Sequence, residues 1–238
     1  MSLLRLPERL FMLYANGCHM SAGPDDSVGS KEEILEGTYR ALCKNGFAAL
    51  TMADVAEEIG KSRSLIHYHF GTREELILAY IDRMTGWVAA AIEESEIEHP
   101  VDRLAEFLDF FIVDPAHQRE SLGLAILELR VQSIHNPEIR EKMRQHYGEN
   151  AATIAAIIAE GIESGEFDAN VDPNQVGEAM YTAMVGARTY QFTLNPGPAS
   201  EAMGRYLWTI ATEMLFTDVG RERLHAPDFP EIEIEALF

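Results

Sequence analysis

The stretch at residues 51–70, TMADVAEEIGKSRSLIHYHF, has the pattern of two short helices joined by a tight turn. Its apolar residues recur at the spacing of one helical face, namely Met52, Val55, Ala56 and Ile59. Gly60 is placed to end the first helix, and Ser62 is placed to cap the second. Two helices joined by a short turn that contains glycine predict a helix-turn-helix, whose second helix enters the major groove of DNA.

The second helix of this stretch has an inward and an outward face. Ile66 and Phe70 fall on the inward face, which we expect to pack against the first helix. The outward face carries side chains that form hydrogen bonds, namely Arg63, Ser64, His67 and Tyr68. No carboxylate occurs between Gly60 and Arg73, which is informative in a chain this acidic. The outward face is therefore the candidate DNA-reading surface.

The longer segment at residues 32–81, EEILEGTYRALCKNGFAALTMADVAEEIGKSRSLIHYHFGTREELILAYI, resembles the DNA-binding domain of the tetracycline-repressor (TetR) family. The match includes the NGF turn, the GxS turn and the HYHFGTREEL ending. Three residues depart from the family pattern: His67 replaces a tyrosine that touches the DNA backbone, Lys61 an aliphatic residue, and Leu65 a polar one. The resemblance implies a dimeric regulator whose C-terminal domain binds a small molecule.

Arg63 is the side chain best placed to reach a base edge, because it begins the second helix and a guanidinium reads guanine bidentately. The resemblance also implies a base or phosphate contact at this position, although an exposed arginine can simply be solvated. The full predicted set of DNA contacts is Thr51, Lys61, Ser62, Arg63, Ser64, His67, Tyr68 and Arg73. His67 and His69 do not suggest a metal site, since residues two apart point to different sides of a helix.

Helical patterns with start and stop signals cover the rest of the chain, so the sequence predicts an all-α fold. Ser30 and Glu33 form a capping box for the first helix, which Gly46 ends. A long helix is expected from Thr72 to about Ser95. The predicted regions are a flexible leader at 1–27, a three-helix helix-turn-helix DNA-binding domain at 28–88, a helical ligand-binding and dimerisation domain at 89–217, and a tail at 218–238.

Later helices are predicted at 102–113, 118–135, 136–164, 172–194 and 199–216. The last of them is apolar on two faces, one with Met203, Leu207, Ile210 and Met214, the other with Gly204, Trp208, Ala211 and Leu215. A helix that is apolar on two faces needs partners on both. Small residues of the preceding helix allow a second copy to approach closely: Gly177, Ala179, Ala183, Gly186 and Ala187. The sequence therefore predicts a homodimer through an intermolecular four-helix bundle, unless both faces serve the core of one chain.

Polar side chains among apolar ones in the middle helices suggest a cavity for a small-molecule inducer, because buried polar groups need partners. The predicted ligand contacts are Glu128, Gln132, His146, Tyr147, Tyr181 and Arg188. Part of the C-terminal half, including IESGEFDANVDP at residues 162–173, is similar to the branch of the family that includes betaine-metabolism regulators. Each of these side chains has a simpler interpretation as a solvated or paired group.

The chain has 39 acidic and 19 basic residues and a formal net charge of −20, with lysine only at Lys31, Lys44, Lys61 and Lys142. Acidic excess spread along every helix, with arginine preferred to lysine, favours a halophilic protein from a salt-accumulating cell over one that is merely acidic. Two isolated cysteines give neither a disulfide framework nor a zinc site. No membrane segment or signal peptide is expected, so the predicted location is the cytoplasm, and Met20 is an alternative start.

These observations predict a sequence-specific transcriptional regulator that binds a palindromic DNA operator and is released by a small-molecule inducer. An enzyme is not expected, because GxSxG, HExxH, P-loop and GxGxxG motifs are lacking, and neither a catalytic residue nor a cofactor is predicted. The alternative is a sequence-indifferent architectural DNA-binding protein. Such a protein needs a broad basic surface, whereas residues 30–76 hold six basic and eight acidic side chains.

Overall fold

The computed structural model describes residues 26–85, 90, 97–112, 117–194 and 199–223. In this part of the chain the regular elements are helices and no strand forms, which confirms the all-α prediction. The helices are α1 (Asp26–Ala49), α2 (Met52–Glu58), α3 (Arg63–His69), α4 (Arg73–Met84), α5 (Pro100–Ile112), α6 (His117–Gln132), α7 (Pro137–Glu163), α8 (Pro173–Thr193), α9 (Ala199–Ile210) and α10 (Asp218–Glu222), with one π-helical turn (Ala211–Leu215) after α9. None of the described helices is both long and apolar enough to cross a membrane.

The helices belong to two compact units. The first unit holds α1 to α4, α6 and the start of α7 as far as His146. The second unit holds α5, α7 from Tyr147 onward, and α8 to α10. The predicted boundary near residue 88 therefore does not coincide with the division into units, because α6 and the start of α7 lie with the N-terminal helices.

The first unit is built around a core that α1 to α4 share with α6. The inward position predicted for Ile66 and Phe70 is confirmed, because Ile66 is fully buried and Phe70 nearly so. Val55 is also fully buried and Phe47 nearly so, and Ile59 is partly buried against the same cluster. Ala125 and Leu129 of α6 belong to this core, as do Ile139 and Met143 at the start of α7.

Two helix ends of the first unit differ from the sequence predictions. Helix α1 begins at Asp26, so the predicted capping box at Ser30 and Glu33 lies inside the helix, and the predicted leader is shorter by two residues. Helix α4 ends at Met84, because Thr85 is extended and its hydroxyl donates to the Ile81 carbonyl at 2.8 Å. Most of the predicted continuation to residue 95 lies outside the described residues, as do residues 1–25 of the leader and the last fifteen residues of the tail.

In the second unit, α8 packs closely on α7 through Gly177. A Cβ atom at this position would lie 2.5 Å from the carbonyl oxygen of Ala151, so only glycine permits the approach. Gly177 therefore contacts its own chain, and the prediction that it faces a second copy is wrong. Ala187 is also buried, whereas Ala179 and Gly186 are exposed and Ala183 is half-buried.

The buried Glu166 carboxylate ties three segments of the second unit together. It accepts hydrogen bonds from the Val101 amide at the start of α5 (3.3 Å) and from the Arg223 guanidinium (2.6 Å), and the His99 ring lies 3.3 Å away. Asp218–Glu222 forms the helix α10, capped by the Thr217 hydroxyl, so this part of the predicted tail is helical. Sequence reasoning gave no role to Glu166.

Helix α9 has one face buried in its own unit and one face exposed. The predicted second face is confirmed as buried, with Gly204, Trp208, Ala211 and Leu215 inside. The other face differs by one position, because Leu207 is buried while Tyr206 is 63% exposed. Tyr206, Ile210 and Met214 form an exposed apolar row at helical spacing, with Met214 71% exposed.

Candidate DNA-binding surface

Local hydrogen bonds define the beginning and end of each helix in the helix-turn-helix. Thr51 and Asp54 form a reciprocal capping box at the start of α2. At the end of α2, Gly60 adopts φ +64°, and the Gly60 and Lys61 amides donate to carbonyls of the last turn. Ser62 then caps α3 by accepting from the Leu65 amide at 3.3 Å, which confirms the predicted start of the second helix.

Helix α3 presents its polar side chains to solvent. Ile66 is fully buried against the core, while Ser62, Arg63, Ser64, His67 and Tyr68 are all exposed. Tyr68 is 81% exposed, and an aromatic side chain left so open is available to a partner. The structure therefore brings five of the eight predicted contacts onto one continuous surface.

Arg63 and His67 interact one helical turn apart. The Arg63 Nε–H group donates to His67 Nε2 at 3.4 Å. The terminal nitrogens of the guanidinium lie beyond this contact, where a base edge or a phosphate can accept from them. The histidine that replaces the tyrosine typical of the family is thus joined to the predicted base-reading side chain.

Three other predicted contacts are engaged within the chain. Lys61 forms an exposed ion pair with Glu33 at 3.6 Å. The Thr51 hydroxyl donates to Asp54 within the capping box. Arg73 differs most from its predicted role as a phosphate contact, because its guanidinium turns inward to the Leu50 carbonyl at 2.8 Å, and burial lowers its pKa.

The predicted ligand contacts are divided between the two units. Glu128, Gln132 and His146 belong to the first unit, whereas Tyr147, Tyr181 and Arg188 belong to the second. Gln132 is exposed, and Glu128 accepts a hydrogen bond from the Phe47 amide at 2.5 Å, so its carboxylate serves the helix-turn-helix unit and not a ligand. Burial, with a smaller contribution from Arg130, lowers the pKa of the His146 ring to about 4, so this side chain is neutral at pH 7.

The second unit does bring two of these residues together. The Tyr147 ring packs edge-to-face on Tyr181 at 5.0 Å between centroids, and the Tyr147 hydroxyl forms a hydrogen bond with Thr182. The Arg188 guanidinium lies 5.2 Å from the centre of the Phe192 ring. Helical spacing of Tyr181 and Thr182 did not reveal the contact with Tyr147, because it joins two helices.

Comparisons with known proteins agree with these features. A family model described as "Bacterial regulatory proteins, tetR family" matches residues 34–80, and one described as "BetI-type transcriptional repressor, C-terminal" matches residues 100–217. A similar protein is the HTH-type transcriptional repressor AcnR of Corynebacterium efficiens, 26% identical over 190 residues that span 80% of this chain and 95% of the relative.

Solved structures with the same fold include a TetR transcription regulator from Haloarcula marismortui. It is 31% identical with a TM-score of 0.69, and the match covers 79% of this chain and 99% of the other. A transcriptional regulator from Saccharomonospora viridis, solved in complex with choline, is 22% identical with a TM-score of 0.66, covering 80% and 99% of the two chains. The second likeness concerns the fold alone.

Proposed function

The chain belongs to the TetR family of bacterial regulatory proteins, and on this basis we propose that it represses transcription by binding a palindromic operator as a homodimer. The observation that carries the proposal is the outward face of α3, where five hydrogen-bonding side chains are exposed without a carboxylate among them. Arg63 reads a guanine, and the neighbouring hydroxyl groups and the His67 ring contact bases or phosphates. This role places the protein in the cytoplasm, where the operator lies.

Homodimerisation is the second part of the proposal. The exposed face of α9, with Tyr206, Ile210 and Met214, and the exposed small residues Ala179 and Gly186 of α8 support it. Apolar side chains in a row at the surface are unfavourable in water until another apolar surface covers them. A two-fold axis through this face pairs the same residues of two copies. The dimer then has two α3 helices, one for each half-site of a palindrome.

Release by a small molecule is the third part. The two α3 helices of a dimer read successive major grooves only when they lie about 34–36 Å apart. A ligand that binds the second unit in one conformation more tightly than in the other shifts this spacing and weakens operator binding. The aromatic pair Tyr147 and Tyr181, with Arg188 on the same unit, supports a ligand site there.

We also propose that the protein works in a salt-rich cytoplasm. Its net charge of −20 and its low lysine content support this, as does its similarity to a regulator from Haloarcula marismortui. At about 1 M salt the Debye length is near 3 Å, so long-range repulsion between carboxylates and DNA phosphates is screened. Contact between exposed groups on α3 and DNA then supplies the affinity.

Selection of bound fragments from genomic DNA, followed by footprinting of the enriched fragment, tests the proposal. We expect a protected palindrome whose half-sites are centred one helical turn apart or a multiple of it. Enrichment without any common sequence would contradict the proposal and favour the architectural alternative. The genes beside the palindrome would indicate the chemical class of the ligand.

A further inference from the structure

The turn between α1 and α2 is held by side chains of two helices that are distant in sequence. Glu128 of α6 accepts a hydrogen bond from the Phe47 amide at 2.5 Å. Arg73 of α4 donates to the carbonyls of Phe47 and Leu50, and its guanidinium carbon lies 4.4 Å from the centre of the Phe47 ring. Phe47 is thus held at its amide, its carbonyl and its ring.

The conformation of Gly46 explains why this amide needs a side-chain acceptor. Gly46 has φ +73° and ψ 169°, which is outside the helical region and interrupts the hydrogen-bonding pattern of α1. The next residue, Phe47, is only 6% exposed, and a buried amide without an acceptor costs roughly 1–3 kcal/mol. The Glu128 carboxylate supplies that acceptor from 81 residues further along the chain.

This turn leads directly into the DNA-binding helices. Leu50 donates its amide to the Phe47 carbonyl at 3.3 Å, and the next residue, Thr51, is the N-cap of α2. The position of the turn therefore determines where α2 begins, and α2 with its Gly60 turn determines the direction of α3. An acceptor on α6 thereby fixes the start of the helix-turn-helix.

We propose that Glu128 is a positioning residue for operator binding: by accepting the Phe47 hydrogen bond it makes the orientation of α3 depend on the position of α6. This inference rests on the proposed function as an operator-binding protein. Ala125 and Leu129, next to Glu128 on α6, are buried in the core shared with α1 to α4, so α6 cannot shift without disturbing that core. A hydrogen bond stretched beyond about 3.5 Å is lost, so a shift of about 1 Å in α6 releases the Phe47 amide.

Two variants of Glu128 separate the reach of the side chain from its charge. Glu128→Asp keeps the charge but is shorter by one methylene group, so its carboxylate no longer reaches the Phe47 amide. Glu128→Gln loses the charge but keeps an acceptor oxygen at the same distance. Glu138→Gln, on an exposed residue of α7 in the same unit, is the matched control for the loss of one negative charge.

The probe is the operator fragment that the wild-type protein selects, and its binding is measured by fluorescence anisotropy. We expect Glu128→Asp to bind it about tenfold more weakly, because losing a hydrogen bond to a charged group corresponds to about a factor of ten or more. Glu128→Gln, which keeps a neutral hydrogen bond, should lose less affinity than Glu128→Asp, and Glu138→Gln should stay within about twofold of the wild type. The affinity for a non-specific duplex should be unchanged in Glu128→Asp, because non-specific binding depends on phosphate neutralisation and not on the direction of α3.

Hydrogen exchange at the Phe47 amide, followed by NMR, is the second measurement. Exchange should be faster in Glu128→Asp than in the wild type and in Glu128→Gln, at a temperature where circular dichroism shows every variant folded. Wild-type affinity in Glu128→Asp, or an equal loss in Glu128→Gln, would overturn the inference. So would a Glu128→Asp protein that does not fold, because Glu128 would then serve stability alone. If the wild type selects no fragment, the proposed function itself fails before any variant is compared.

Discussion

The outward faces of α3 and α9 are both exposed in one chain, but their chemistry is opposite. Helix α3 presents the polar side chains Arg63, His67 and Tyr68 to solvent, whereas α9 presents Ile210 and Met214, whose exposure to water is unfavourable. The first face binds a hydrated, charged partner when one is available. The second is suited to an apolar partner, and the proposed second copy is that partner. The chemistry of an exposed face thus distinguishes an operator contact from a dimer contact.

The largest expected effect comes from placing a charge on the apolar side of this comparison. The substitution is Ala183→Glu. Ala183 is half-buried on α8, between the exposed Ala179 and Gly186. A carboxylate buried there without a partner costs several kcal/mol, so the dimer should dissociate. Sedimentation should show monomers, and anisotropy should show loss of operator binding.

Asn174→Glu is the control, because it adds the same charge to the exposed first turn of α8. It should remain a dimer. A wild-type protein that sediments as a monomer would remove the proposed role of the α9 face. If a monomeric wild type still bound a palindrome, two copies would have to bring their α3 helices to the two half-sites without the α9 contact.

Two glycines of α8 sharpen the distinction between inner and outer faces. Gly177→Ala forces a Cβ atom against the Ala151 carbonyl and should lower the free energy of unfolding by about 1–3 kcal/mol. Gly186→Ala meets no atom of its own chain within 4 Å, and should raise the stability of one chain by about 0.5–1 kcal/mol through helix propensity.

Denaturant unfolding of each variant in the monomeric Ala183→Glu background measures these effects without a contribution from dimerisation. In the wild-type background, Gly186→Ala should instead weaken the dimer, because the added methyl group lies in the proposed contact. Equal destabilisation of the monomer by both substitutions would mean that Gly186 is also packed within its own chain.

Features set by near neighbours in sequence could be predicted, and features set by distant ones could not. The cap at Ser62 and the helix starts at Thr72 and Asp172 were predicted correctly, because each depends on an acceptor and an amide two or three residues apart. The outward face of α3 followed from the same local periodicity. These local signals were sufficient for the fold class and most of the candidate surface.

The roles of Arg73, Glu128 and Gly177 could not be predicted in this way. Arg73 reaches the Phe47 carbonyl across 26 residues and Glu128 reaches the Phe47 amide across 81. Gly177 meets another helix of its own unit. Their residue types suggested that Arg73 contacts a phosphate, that Glu128 contacts a ligand and that Gly177 faces a second copy. Only the packing of the helices shows which partner each residue has.

On the polar side of the comparison, Arg63→Ala should weaken operator binding by about 1–3 kcal/mol and leave dimerisation and thermal unfolding unchanged. The reason is that Arg63 is exposed and contributes no core contact. Arg144→Ala on α7 removes an equally exposed positive charge and should alter operator binding little. Equal losses in the two variants would indicate a general effect of charge, and an unchanged affinity in Arg63→Ala would exclude it from the readout.

The smallest effect concerns the salt dependence of binding, which we expect to be shallow. Lys61 and Arg63 are the exposed basic side chains of the predicted contact set, since Arg73 is turned inward. Two phosphate contacts per subunit give at most four per dimer, so the slope of log K against log salt should be no steeper than about −4. Anisotropy with the selected operator from about 0.1 to 2 M KCl measures it.

The ion pair between Lys61 and Glu33 makes the slope smaller still, because Lys61 is already neutralised in part before DNA binds. Glu33→Gln frees Lys61 and should therefore raise affinity at low salt and steepen the slope by up to about two units per dimer. At low salt the carboxylates of a chain with net charge −20 repel one another and the DNA, so the dimer should lose stability in dilute buffer. A slope much steeper than −4 in the wild type, together with full stability in dilute buffer, would contradict a halophilic adaptation and leave the acidity as a property unrelated to DNA binding.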